Sequence, residues 1–126
     1  MYLQLREICF FFEKLLDTNC NYLNIKDYQI YSIEERQVFI NVDTYEANDF
    51  LLIPQMERNE IVEKYLINRS NQNLLRKKAN KDFYRKFHWY TEDHHLVDDW
   101  NHFEQSVLIA FASEWCEKNQ IEFTKK

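Results

Sequence analysis

The segment best equipped for binding chemistry combines cations with aromatic rings between positions 76 and 89. Lysine and arginine neutralise phosphates and aromatic rings stack on nucleobases, so the mixture is typical of surfaces that bind single-stranded nucleic acid. The candidate partner-binding or nucleic-acid-binding residues are Arg76, Lys77, Lys81, Tyr84, Arg85, Lys86, His88 and Trp89. The alternative interpretation is a solvated helix surface with Tyr84 and Phe87 in the core. We expect this alternative, because a net charge of −5 opposes a polyanion.

A second group of side chains has the atoms to hold a metal. It consists of three histidines and three neighbouring acids: Asp93, His94, His95, Asp98, Asp99 and His102. Helical i, i+4 spacing would place His95 with Asp99, or Asp98 with His102, on one face. No spacing matches a zinc motif such as H-E-x-x-H, and the adjacent Asp98 and Asp99 point about 100° apart on a helix. We therefore expect polar side chains in water, with no metal and no cofactor.

The cysteines argue against disulfide and zinc frameworks. Cys9, Cys20 and Cys116 are odd in number, and no two have C-x-x-C spacing. Reduced thiols in the cytoplasm fit this usage best. Cys9 and Cys116 lie on apolar helical faces and are interpreted as small core residues. No activating base accompanies any of them, so the sequence does not establish an enzyme, and we expect that it is not one.

The absence of glycine excludes several nucleotide-binding and hydrolase motifs. With no Gly in 126 residues, neither a P-loop, a Rossmann loop nor a G-x-S-x-G elbow can form. Positive-φ turns must use other residues, and Asn or Asp is expected. Glu13 and Lys14 interrupt the N-terminal apolar run, so we expect no signal peptide. No apolar run approaches the roughly 20 residues of a membrane span, and we expect no membrane partner.

The N-terminal half combines helical and alternating patterns. Leu3–Leu16 has apolar residues at helical spacing and predicts an amphipathic helix. Tyr22–Ile25 and Gln29–Ile33 predict a hairpin, Gln37–Val42 a third strand, and Phe50–Ile53 a fourth strand that ends at the only proline.

Phe10 and Phe11 lie off the apolar stripe of the predicted first helix. Our first interpretation is that a second element covers both rings. The alternative is an exposed aromatic patch that binds a partner.

The C-terminal half is helical in pattern throughout. The predicted helices are a first from Met56 to Asn68, a second over Asn71–Ala79 capped by Ser70, a third from Asp82 to Tyr90, and a fourth from Thr91 or Asp93 to Asn119. We therefore predict an α+β fold: an N-terminal helix and a small antiparallel β-sheet beside a C-terminal bundle of about four helices. Residues 1–126 would form a single domain, with the sheet part in 1–53 and the helical part in 54–126.

Three blocks of sequence resemble a known bacterial group. They are Ala79–Phe87, the pair Trp100 and Phe103, and Glu114–Asn119. They resemble the blocks A-L-x-G-K-G-A-F-R-R-F-K-D, W-x-x-F and E-W-L-E-E-N-G-I of uncharacterised protein family 0158. The resemblance implies a cytosolic bacterial or phage-borne protein, and it brings no assigned substrate, cofactor or catalytic residue.

Most departures from the family pattern fall in or directly after the Ala79–Phe87 block. Asn80 and Asp82 replace its two glycines, Trp89 replaces an acid, and Cys116 replaces a leucine. Asn and Asp can adopt turn geometry, so these changes are compatible with the fold.

Two functions from different classes follow from these patterns. The first is a non-enzymatic protein-interaction or regulatory module with an unidentified protein partner, suggested by the acidic charge and surplus aromatics. The second is a nucleic-acid-associated protein that uses segment 76–89.

Overall fold

The computed structural model describes residues 1–14, 20–69 and 82–125. Within these ranges the α-helices are α1 (Leu5–Ile8), α2 (Ile33–Asn41), α3 (Arg58–Asn68), α4 (Phe83–Asp93) and α5 (Val97–Lys118). The strands there are β1 (Leu3–Gln4), β2 (Glu13–Lys14), β3 (Asn21–Asn24), β4 (Ile30–Ser32), β5 (Phe50–Leu52), β6 (Met56–Glu57) and β7 (Phe123–Thr124). Short 3-10 helices cover Cys9–Phe12 and Ala47–Asp49. The predicted α+β class is confirmed.

The antiparallel sheet has the strand order β4-β3-β5. Tyr22 of β3 lies opposite Tyr31 of β4 on one side and Leu52 of β5 on the other. The predicted hairpin and the strand before Pro54 are therefore confirmed. Because β3 is paired on both sides, β4 and β5 are the edge strands of this sheet.

The predicted strand over Gln37–Val42 is wrong, because this segment belongs to helix α2. A capping box starts the helix: Ser32 Oγ accepts from the Glu35 N–H at 3.1 Å, and Glu35 Oε1 accepts from the Ser32 N–H at 2.9 Å. These bonds satisfy backbone donors that a helix start leaves unpaired. The alternating polarity that suggested a strand leaves Val38 exposed on the helix surface.

The predicted helix over Leu3–Leu16 is also wrong in its length. Helix α1 and the 3-10 helix that follows it cover the middle of the segment, and strand pairing constrains both ends. Leu3 pairs in parallel with Phe123, and Glu13 pairs in parallel with Met56. Non-local pairing thus overrides local periodicity. The rest of this prediction, residues 15–16, lies outside the described part of the chain.

Positive φ angles occur where a glycine would be favoured. They occur at Tyr28 (57°), Asp43 (59°), His95 (56°) and Gln120 (57°). Among the described residues, the expectation of Asn or Asp holds only for Asp43. Left-handed backbone costs a non-glycine residue roughly 1–2 kcal/mol, which a tertiary contact can offset. At Tyr28, for example, the hydroxyl accepts the Glu122 N–H at 3.4 Å.

The helical part packs around Tyr65 of α3. Its ring makes edge contacts with Phe87 of α4 at 5.8 Å, Trp100 of α5 at 5.4 Å and Phe103 of α5 at 5.3 Å. Such pairs contribute about 0.5–1.5 kcal/mol each beyond area burial. The predicted buried face of this helix is confirmed, and its members are Ile61, Val62, Tyr65 and Leu66.

The boundary between the last two helices lies closer to the C-terminus than predicted. Thr91 and Asp93 belong to α4, and α5 begins only at Val97, after the positive-φ residue His95. The predicted helix Asn71–Ala79 and its cap Ser70 lie outside the described residues.

One hydrophobic cluster joins the two parts of the fold. Phe12 is fully buried against Phe111 at 6.0 Å and Trp115 at 5.4 Å between ring centroids. Leu23 of the sheet and Leu108 of α5 belong to the same cluster. This packing brings the segment before β2 against α5.

Candidate functional site

The predicted binding residues fall partly on helix α4. Arg76, Lys77 and Lys81 lie outside the described residues. The other five are on α4, and they are Tyr84, Arg85, Lys86, His88 and Trp89. The structure therefore describes the aromatic end of the predicted surface.

Two of the described basic side chains of this surface, Arg85 and His88, already have acidic partners. Arg85 contacts Asp82 at 3.0 Å and places its guanidinium 5.3 Å from the centre of the Trp89 ring. His88 Nε2 lies 3.0 Å from Glu92 Oε1. A polyanion would have to displace these carboxylates, which lowers the gain from each phosphate contact.

Tyr84 faces the interior rather than a ligand. Its ring is partly buried. The Arg58 guanidinium lies 3.4 Å from the ring centre, and the His88 ring stacks beside it with 6.5 Å between centroids and an 18° interplanar angle. Phe87 is buried. The inward placement of both rings matches our alternative interpretation of this segment, whereas Trp89 remains exposed.

The structure does not assemble the histidines into a metal site. Among the described residues no group of three His, Cys, Asp or Glu side chains could hold a metal ion. His94 Nδ1 is 3.0 Å from the Tyr90 carbonyl oxygen. Asp99 instead accepts the Tyr65 hydroxyl at 2.7 Å and an ion-paired hydrogen bond from Arg69.

Two of the three thiols are buried. Cys9 and Cys116 lie in the core, as predicted, and Cys20 is exposed. Burial raises the pKa of Cys9, and the charges of Glu104 and Glu13 raise it further, while backbone hydrogen bonds oppose the shift. Burial also raises the pKa of Cys116 to about 11. Neither core thiol is activated as a nucleophile.

The sequence interpretation missed a buried pair of carboxyl groups, Glu13 and Glu104. Glu13 on β2 is only 7% exposed, although glutamate is almost never so buried without a partner. Its Oε2 atom has no hydrogen-bond partner among the described residues. Glu104 on α5 is partly buried and hydrogen-bonds to Glu13.

The environment of the pair favours a neutral acid on Glu104. Burial is the largest cause, and the hydrogen bond to Glu13 and repulsion from its charge act in the same direction. Together they raise the pKa of Glu104 to about 8, against the opposing charge of Arg58. A carboxyl group in such an environment can hold and release a proton near neutral pH.

Two sequence signals mark this pair. Glu13 interrupts an N-terminal apolar run, and Glu104 falls in the row of α5 that contains Trp100 and Leu108 at i, i+4 spacing. Both of those neighbours are buried. A charged residue inside a buried row indicates a partner across the core, although the pattern does not identify that partner.

A second feature is an open groove beside the N-terminus, which we call the N-terminal groove. It has a volume of about 640 Å³ and lies between β1, the first helical turns and the β3–β4 hairpin. Its lining residues include Tyr2, Gln4, Glu7, Phe11, Asp27 and Ile30.

Aromatic side chains stand exposed at this groove. Tyr2 is 65% exposed and Phe11 39%, and Phe10, next to Phe11, is 53% exposed. Our first interpretation of Phe10 and Phe11, that a second element covers both rings, is therefore wrong. The 3-10 helix turns them outward while it turns Phe12 into the core.

Comparisons with protein-family models, curated proteins and solved structures found no match. Membership of uncharacterised protein family 0158 therefore stays a prediction. None of the described helices is long and apolar enough to cross a membrane.

Proposed function

We propose that this protein is a non-enzymatic interaction module that binds an extended segment of a partner protein in the N-terminal groove. The segment would combine apolar and basic residues. The observation that carries the proposal is the exposure of Tyr2 and Phe11 along one groove. Exposed apolar residues scattered singly are ordinary, whereas several that line one groove favour an interaction site.

Backbone groups beside the groove favour an extended partner. Leu3 donates its N–H to the Glu122 carbonyl oxygen at 2.9 Å in the β1–β7 pair. Alternate residues of a strand direct their backbone groups to opposite edges, so Gln4, next to Leu3 in β1, directs its N–H away from β7. Ile30, across the groove, belongs to edge strand β4. Main-chain pairing on such an edge provides affinity, and pockets for alternate side chains provide specificity.

Charge around the groove favours a basic partner. Glu7 and Asp27 are among its lining residues, and the described lining includes no lysine, arginine or histidine side chain. Asp27 accepts hydrogen bonds from the hydroxyls of Tyr31 and Tyr45, which keeps its carboxylate fixed. The net charge of −5 adds attraction at longer range.

Nucleic-acid binding is the weaker proposal, because Arg85 and His88 are paired with acids. We also propose a cytoplasmic location. The exposed Cys20 and the absence of disulfides among the described cysteines suit a reducing compartment.

The test is fluorescence polarisation with a labelled peptide of roughly twelve residues, longer than a typical strand, that alternates valine and lysine. We expect a Kd on the order of 10 µM. Tyr2→Ala combined with Phe11→Ala should weaken binding by about tenfold or more, because two apolar faces are lost. Val38→Ala removes an equally exposed apolar side chain on α2 and should leave binding unchanged.

Two further probes separate the alternatives. The same peptide with glutamate in place of lysine should bind at least about tenfold more weakly if charge selects the partner. Equal binding of both peptides, or insensitivity to the groove variants, overturns the proposal. Salt-steep binding of oligodeoxythymidine, reduced by Arg85→Ala with Lys86→Ala and combined with no peptide binding, would favour the nucleic-acid function instead.

A further inference from the structure

The buried carboxyl pair has a hydrogen-bonding requirement that fixes its protonation. An ionised carboxylate only accepts hydrogen bonds, so two carboxylates cannot bond to each other unless one carries a proton. Glu13 is only 7% exposed, and its Oε2 finds no donor among the described residues. A hydrogen bond with Glu13 is one of the causes that raise the pKa of Glu104. A proton on Glu104 would supply the Glu13 carboxylate with a donor.

We propose that a proton on Glu104 bridges the two carboxyl groups and forms a pH-sensitive latch that fastens strand β2 to helix α5. Release of that proton leaves two negative charges side by side, one of them on the buried Glu13, and opens the latch. The proposal concerns the core of the protein and is independent of the N-terminal groove.

The titratable and charged groups that interact electrostatically with the pair lie on the 3-10 helix, on α3 and on α4. Cys9 of the 3-10 helix and Tyr84 of α4 have pKa values raised chiefly by burial, and the charges of Glu13 and Glu104 raise both further. Arg58 of α3 opposes these shifts at Glu104 and Tyr84. Its guanidinium lies over the Tyr84 ring at 3.4 Å, and its charge offsets only part of the repulsion, because the pKa of Glu104 stays raised. The proton on Glu104 removes the remaining repulsion.

The latch joins elements that are far apart in sequence. Glu13 follows the 3-10 helix that carries Phe12, and it pairs with Met56, two residues before α3 begins at Arg58. Glu104 lies on α5, between Trp100 and the Phe12 contact Phe111. Loss of the proton should loosen the packing of Phe12 on α5 before the rest of the core.

The direction of the pH effect follows from the raised pKa of Glu104. A group whose pKa is higher in the folded state stabilises that state fully below its unfolded pKa, and the effect is lost as pH rises through the folded value. Stability should therefore fall between about pH 5 and about pH 8. The unfolding equilibrium constant should rise by up to about tenfold per pH unit for one proton.

The experiment compares urea unfolding from pH 5 to pH 9 for the natural chain, Glu104→Gln and Glu114→Gln. In Glu104→Gln the substituted side chain ends in a neutral amide that can donate to Glu13 at every pH, so this variant should lose the slope. Glu114, on the same helix, is exposed and ion-paired with Lys118 at 3.2 Å, so Glu114→Gln should keep it. Equal slopes in all three proteins overturn the proposal.

A second measurement needs no variant. Carbon-13 NMR titration of the glutamate carboxyl groups should show one group that titrates near pH 8, well above the ordinary value of about 4.3. Hydrogen exchange of residues 9–14, corrected for intrinsic rates, should accelerate above that pH in the natural chain but not in Glu104→Gln. Titration of every glutamate below about pH 5.5 overturns the proposal.

Discussion

Replacement of Phe12 by alanine tests how the N-terminal segment attaches to the helices. Phe12 has 0% of its side chain exposed and makes edge contacts with Phe111 and Trp115 of α5. A Phe→Ala change in a packed core costs about 3–5 kcal/mol, which includes both lost transfer energy and the cavity. The two aromatic contacts favour the upper part of that range.

The expected loss is large relative to the whole stability. Domains of this size unfold with about 5–15 kcal/mol, so Phe12→Ala should remove at least about a fifth of that value. The corresponding decrease in Tm is roughly 10–20 °C. Urea unfolding followed by circular dichroism gives the free energy, and tryptophan fluorescence provides an independent probe close to the site, because Trp115 contacts the substituted ring.

Phe10 provides the matched control. It lies two residues away in the same 3-10 helix but is 53% exposed. Phe10→Ala should change stability by less than about 1 kcal/mol. If the two variants lose similar amounts, or if both lose less than about 1 kcal/mol, the packing of this segment on α5 is refuted. If Phe10→Ala is the more damaging change, the inward and outward directions of the turn are reversed.

Two further perturbations probe polar groups. Tyr65→Phe removes the hydroxyl that donates to Asp99 at 2.7 Å and should cost about 1 kcal/mol in urea unfolding. This bond and the Arg69 ion pair lower the pKa of Asp99, so the stability that the ionised Asp99 contributes is lost as pH falls. Tyr65→Phe should therefore lose less stability on acidification than the natural chain. An equal loss of stability in the two proteins contradicts this. For the thiols, a disulfide reagent should modify only Cys20 in the folded protein and all three cysteines after denaturation, and rapid modification of Cys9 or Cys116 in the folded state would contradict their burial.

The elements that sequence predicted correctly are those whose local pattern agrees with their tertiary contacts. The hairpin places Tyr22 opposite Tyr31, and helix α3 buries the apolar face that its spacing indicates. The strand predicted over Gln37–Val42 is wrong because its strand-like alternation competes with a capping box at the start of α2, and the box satisfies specific backbone groups. Periodicity measures which face is apolar, whereas capping determines where a helix begins.

The N-terminal error has a different physical origin. The spacing of residues 3–16 is helical, yet β1 and β2 form because Phe123 and Met56 supply parallel partners from distant parts of the chain. The local sequence does not predict pairing with a distant strand of only two residues. The same reasoning explains why Phe10 and Phe11 were expected to be covered: the 3-10 geometry that exposes them depends on those distant pairs.

The carboxyl pair shows how far local reasoning extends. Each of its members violates the expected pattern, Glu13 within an apolar run and Glu104 within a buried row of α5. Either glutamate taken alone predicts only a solvent-exposed charge at the edge of an apolar face. Their proximity follows from the packing of the Cys9–Phe12 turn on α5. Each glutamate then accounts for the presence of the other inside an apolar row. A buried charge is stable only with a partner. That partner is itself a polar residue inside another apolar row, so polar residues in apolar rows are best examined in pairs.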